Sequence, residues 1–126
     1  EHGGKPFFSF VAFTAPHFPV QAPPEDVAKY KATYLAGWDD LRRRRFERMK
    51  GLDLRGSLSA IERDVGPPYA FPDALKKLGP NELNRPLPWA DLTAEQRAFQ
   101  AEKMAVHAAM VDRMDQNIGR VIDDLK

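Results

Sequence analysis

Residues 7 to 14 read FFSFVAFT, apolar on both alternating faces and half aromatic. A strand with one wet face would alternate; this pattern predicts a central strand buried on both faces of a parallel sheet. Such a strand needs hydrogen-bonding neighbours on both edges and cover above and below, because buried backbone N–H and C=O groups cost free energy when unpaired. No second stretch of the 126 residues reads as a convincing strand. Either two copies pair their strands, or the neighbours lie in sequence outside these residues. Parallel strands are joined by helical crossovers, and a strand, a loop, helices and a long last helix fit one crossover. The expectation is a single partial domain over 1–126, mostly helical, with one central strand of an α/β sheet.

The chain leaves that segment through FTAPHFPVQAP, residues 13 to 23. Pro16 and Pro19 lack an N–H and stop regular pairing, and they restrict the backbone on either side of His17. In open α/β sheets ligands bind beyond the carboxyl ends of the strands, so His17 stands where a catalytic histidine is expected. The same placement also fits a loop imidazole packed on Phe18 and hydrogen-bonded to the backbone.

Helical signals follow. Pro24 suits a first turn, with Val27, Tyr30 and Lys31 at spacings of three and four. A second helix is expected from near Gly37 to Gly51, with Trp38, Leu41, Arg45 and Met49 on one side. Residues 51–91 hold six of the eleven prolines and read as connecting loop with short helical pieces such as Asp73 to Leu78. Thr93 and Gln96 form a capping box that opens a long helix. Along it Val106, Met110, Met114, Ile118, Val121, Ile122 and Leu125 make one apolar stripe. Gly119 interrupts it at a cost of roughly 1 kcal/mol relative to alanine, which predicts something packed closely against it.

Composition narrows the chemistry. Nineteen basic and eighteen acidic side chains leave a net charge of +1, so no bulk field draws in nucleic acid or an anionic membrane. The run Arg42 to Arg45 spreads its charges around a helix and is read as a solvated, acid-paired face. No cysteine is present, which removes disulfides, thiolate metal sites and cysteine nucleophiles. The apolar run is about half the roughly 20 residues needed to span a bilayer. Asp112, Asp115 and Asp123 lack the loop spacing of calcium sites and are read as helix-surface charges. His107 is read as a packed side chain, and Trp38 and Trp89 as core or lid residues.

The run KPFFSFVAFTAPHFPVQAPPEDVAKYKATYLAGWDDLRRRR resembles the arylsulfatase family, in which an apolar strand ends in a Pro-His-aromatic-Pro element before QAP, a K-Y helix and a GWD.LR helix. MAVHAAMVDRMDQNIGRVIDDLK is similar to the sulfatase helix that precedes a strand carrying a metal-binding Asp-Asn pair. The likeness covers roughly 1–50 and 84–126. It implies an internal segment of an alkaline-phosphatase-like α/β catalytic domain and a hydrolase of small-molecule sulfate esters, with His17 beside the leaving oxygen. It also implies a formylglycine nucleophile, made from Cys or Ser in a C/S-x-P-x-R motif, and a Ca²⁺ ion. Neither belongs to this chain: Ser9, Ser57 and Ser59 lack that motif, and the paired aspartates, the Asp-Asn pair and the active-site lysines are absent. The chain alone is therefore expected to be inactive, with the remainder of the sulfatase domain as its partner.

Two other readings stay open. A phosphonate or phosphodiester hydrolase of the same superfamily shares scaffold and nucleophile chemistry. A non-catalytic helical interaction domain would dimerise through residues 7–14 and the stripe of the last helix. The isolated chain is expected to self-associate through its apolar segment; light scattering that shows a strict monomer at high concentration would contradict this.

Overall fold

A computed structural model describes residues 4–52 and 67–126 of the chain. Among the described residues four α-helices follow one another: α1 Pro24–Leu35, α2 Trp38–Lys50, α3 Pro72–Leu78 and α4 Ala94–Asp124, with a 3-10 turn at Trp89–Asp91 before the last. Residues 53–66, which include Ser57 and Ser59, lie outside the described residues.

Each helix boundary has a local cause. α1 opens on Pro24, whose fixed φ suits a first turn and whose missing N–H has no helical partner to lose. Glu25 and Asp26 add negative charge where the helix dipole is positive. α2 carries Asp39 and Asp40 in its first turn and Arg48 and Lys50 in its last, the favourable arrangement at both ends. In front of α4 the capping box forms as expected. The Gln96 N–H donates to Thr93 Oγ1 at 3.2 Å, and the Thr93 N–H donates to Gln96 Oε1 at 3.0 Å. With 31 residues α4 is about 46 Å long, the spine of the chain.

α1 packs on α4. Their shared core is small: Val27, Ala105 and Ala109 are buried, and Ala22, Tyr30, Tyr34 and Val106 pack against them. Ala101, Ala105 and Ala109 recur every fourth residue and are almost completely enclosed, so α4 meets α1 with a row of methyl groups that permits close backbone approach. The apolar stripe read from the sequence is covered only in part. Met110 is buried, whereas Ile118, Val121, Ile122 and Leu125 are exposed.

The segment 84–92 ties α2 to the start of α4. The Trp89 N–H donates to Asp39 at 2.8 Å, and Arg97 of α4 donates to the carbonyls of Trp89 and Ala90 at 3.1 and 2.8 Å. The Trp38 and Trp89 rings, each half-buried, meet edge to face with centroids 4.8 Å apart, a packing contact between α2 and the 3-10 turn. Gly37 makes that contact possible. Its φ is +88°, and a Cβ there would lie 2.4 Å from the Trp89 ring. Arg42 to Arg45 are exposed, and Asp40 pairs with both Arg43 and Arg44, as a solvated face requires.

Three expectations need correcting. Residues 7–14 form no strand, and no strand occurs among the described residues. Phe8 is 90% and Phe10 82% exposed. A strand exists only through a ladder with a neighbour, and among the described residues nothing offers one. Gly119 has nothing within 4 Å of where a Cβ would stand, so no close packing explains it among the described residues. His107 is exposed rather than packed.

The two glycines therefore respond oppositely. Gly37→Ala should lower stability by roughly 1 to 3 kcal/mol, because strain at positive φ adds to the collision with Trp89, while Gly119→Ala should raise it by about 0.5 to 1 kcal/mol through helix propensity. Urea unfolding monitored by circular dichroism measures both, and equal midpoints for the two variants would refute the contrast.

Candidate functional site

His17 lies in the loop that carries the chain into α1. Its N–H donates to the Thr14 carbonyl at 2.9 Å, closing a tight turn, and the Ala15–Pro16 and Phe18–Pro19 peptide bonds on either side are cis. Nδ1 stands 2.8 Å from the Phe18 carbonyl oxygen. A carbonyl can only accept, so Nδ1 carries the hydrogen of this bond and Nε2 is the ring's remaining functional atom. The ring is exposed and borders a cleft of about 260 Å³. The plain reading of His17 as a hydrogen-bonded loop imidazole and the functional one are thus compatible, since one nitrogen fixes the ring and the other is left for chemistry.

The cleft has two walls. One is the loop itself, with Phe13 and Phe18; the other is α4, which contributes Met110, Arg113 and Asn117. Residues 101, 105, 109, 113 and 117 are spaced by four, so the row of buried alanines continues directly into the arginine and asparagine of the cleft. That spacing is the signal that could have identified Arg113 and Asn117 from the sequence, where the larger apolar residues drew the helix face elsewhere. Asn117 also donates to the Arg113 carbonyl at 2.9 Å and accepts from Arg120 at 3.1 Å.

Arg113 is held by α1. Its Nε donates to Asp26 Oδ2 at 2.8 Å and its Nη2 stands 2.5 Å from the same oxygen, an ion pair with a residue that is only 2% exposed. Lys29 donates to the other oxygen of Asp26 at 2.8 Å and to Asp112 at 2.9 Å. Asp112, expected to be a plain surface charge, is instead a rung between the two helices. The hydrogen bond from Lys29 and those from Arg113 outweigh burial and hold the Asp26 carboxyl below its ordinary value of 3.8. Hydrogen bonds from Gln116 and Lys29 lower Asp112 likewise, and Lys29 is raised by its two carboxylate partners. Tyr30 beside them is raised, by burial first and by Asp112 second.

A second buried acid, Glu82, lies on the far side of α4. Burial pushes it up, but donors from Lys103, Gln100 and the Leu83 N–H more than offset this and leave it lowered. With the bond from Gln100 to the Asn81 carbonyl, these contacts clamp residues 81–83 to the helix.

No group of three His, Asp or Glu side chains among the described residues is arranged to hold a metal ion, and the chain has no cysteine. Ser9 sits in the apolar segment and is exposed. No helix among the described residues is long and apolar enough to cross a membrane. The site these residues form is one imidazole, an arginine locked to an aspartate, and an asparagine, with apolar walls.

Comparison with known proteins places the chain in context. The family model described as Sulfatase matches residues 1–126. An uncharacterised sulfatase of Schizosaccharomyces pombe is 39% identical over 120 residues, which is 95% of this chain and 19% of the relative. An arylsulfatase of Klebsiella aerogenes is 35% identical over 122 residues, 97% of this chain and 22% of the relative. The chain thus spans about a fifth of the length of these curated relatives.

The ion-pair ladder makes the α1–α4 contact sensitive to acid. A lowered carboxyl contributes stability that is complete above its ordinary value and lost as pH falls through its folded value, so the contact should hold above about pH 3.8 and weaken progressively below it. Amide exchange at Val27 to Tyr30 across an acid titration measures this, and Asp26→Asn should flatten the response. Protection that persists unchanged to pH 2 would refute it.

Proposed function

The chain belongs to the sulfatase family, and on that premise we propose that it forms the leaving-group side of a site that hydrolyses sulfate esters, with His17 as the acid. His17 Nε2–H, as part of an imidazolium, donates its proton to the bridging ester oxygen as the S–O bond breaks. The alcohol departs neutral, and the imidazole recovers a proton from water. The observation that supports this reading is the Nδ1 contact with the Phe18 carbonyl at the border of the cleft, which occupies one ring nitrogen and leaves Nε2 for proton transfer.

Formylglycine and Ca²⁺, which likeness to arylsulfatases implies, do not fit the residues of this chain. It has no C/S-x-P-x-R run, and its described residues make no metal cluster. No step is therefore routed through them, and the nucleophile that attacks sulfur must come from the rest of the protein.

The chemistry predicts a leaving-group signature. In the full-length protein, His17→Ala should reduce kcat on sulfate esters by about 10²- to 10⁴-fold when the departing alcohol is weakly acidic, because an unassisted alkoxide is then a poor leaving group. The loss should shrink for nitrophenyl sulfate, whose phenolate leaves without a proton. Steady-state kinetics over a series of esters measures this. A uniform loss, or none, removes His17 from the role of acid, and faster turnover of phosphodiesters or phosphonates than of sulfates would replace the substrate class.

A further inference from the structure

Asp26 is enclosed, charged and six residues or fewer from the loop that bears the proposed acid, yet the proton transfer above does not use it. Its surroundings are unlike those of a surface charge. Three donors converge on the two oxygens, two of them from a single guanidinium on α4. The Asp26 N–H donates to the Pro23 carbonyl at 3.0 Å, which ties the carboxylate's own backbone to the end of the His17 loop. Ala22, one residue earlier, packs into the α1–α4 core. Between this anchor and His17 lie only residues 18 to 21, of which Pro19 is conformationally fixed. On the opposite side Arg113, which Asp26 grips, and Asn117 one turn later form the α4 wall of the same cleft.

We propose that Asp26 and Arg113 are positioning residues for His17: their ion pair fixes the N-terminus of α1 on α4 and thereby sets where the imidazole stands relative to the far wall of the cleft. The proposal rests on the reading of His17 as leaving-group acid. Two nitrogens of one planar guanidinium converging on Asp26 Oδ2, with Lys29 on Oδ1, suit this task because they constrain orientation as well as distance, which a single point charge does not. The apolar contact alone is a weak locator. Alanines repeating every fourth residue present nearly the same surface after a one-turn slip of about 5 Å, so the charged rungs add a strong distinction between one register and the next. General acid catalysis is sensitive to such displacement because the proton must lie within hydrogen-bond reach of the departing oxygen.

The test uses the full-length enzyme with Asp26→Asn, His17→Ala and the double variant, assayed on a weakly acidic alcohol's sulfate and on nitrophenyl sulfate. Asp26→Asn should lower kcat about tenfold or more on the first substrate, less than twofold on the second, with KM nearly constant on both. Against His17→Ala it should add nothing, since a misplaced acid cannot matter once the acid is gone. Arg113→Lys, which keeps the charge and loses the fork, should show the same pattern more mildly and serves should Asp26→Asn fold poorly. An equal loss on both substrates, or a loss that multiplies with that of His17→Ala, would show that the pair supports packing alone and overturn the proposal. If His17→Ala itself shows no leaving-group dependence, the acid role fails and the positioning role falls with it.

Discussion

A carboxylate with 2% of its surface exposed is stable as an anion only if its lost hydration is replaced, and at Asp26 the replacement comes from two helices at once. Lys29 reaches it from one turn along α1, and Arg113 reaches it from α4, 87 residues away in sequence. The arrangement is all or nothing. Removing either cation would leave a buried charge short of partners, whereas forming both fixes the distance, angle and register of the only helix pair with a shared buried core among the described residues. The loop before α1 joins that contact through Ala22, and it shares a cleft with α4.

The core itself is too sparse to do the same. Its buried members are one valine and two alanines, with two tyrosines and a few small residues around them, and the hydrophobic term scales with the area removed from water. Much of the chain's apolar surface remains uncovered. Phe7, Phe8, Phe10 and Val11 are about half exposed or more, and the last two turns of α4 present Val121, Ile122 and Leu125. These are large side chains in two clusters, unlike the scattered single residues found on an ordinary protein surface. The fact that this chain spans about a fifth of its curated relatives' length accords with such surfaces.

The cleft divides the chemical labour along the same lines as the fold. Local backbone geometry at His17 is a matter of sequence neighbours, because the Thr14 and Phe18 carbonyls that hold it are within three residues. The opposing wall is a matter of distant sequence, since Arg113 and Asn117 arrive from the far end of the chain on a rigid helix. The cleft is thus bordered by a loop on one side and by a regular helix on the other.

Sequence alone located what depends on neighbours a few residues apart. Pro24, the Thr93 and Gln96 capping box and the acid-paired arginines of α2 follow from local hydrogen bonding and fixed dihedrals, and each stands where the pattern put it; His17 sits in its proline-bounded loop, but without the strand it was expected to follow. The resemblance to sulfatases was likewise legible, carried by ordered runs at both ends of the chain and matched by the family over 1–126. What needs a partner far along the chain was not legible. FFSFVAFT has the composition of a buried strand, but a strand is a relation between segments, and among the described residues none pairs with it. Met114 and Ile118 outweighed Ala101 and Ala105 in the apolar pattern, although the small residues are the ones buried, because close approach of two helices rewards absence of side chain as much as oiliness. Asp112 read as a surface charge, and Asp26 and Arg113 drew no notice, for the same reason: a charge's partners are set by which faces meet, and only the packing of α1 on α4 decides that.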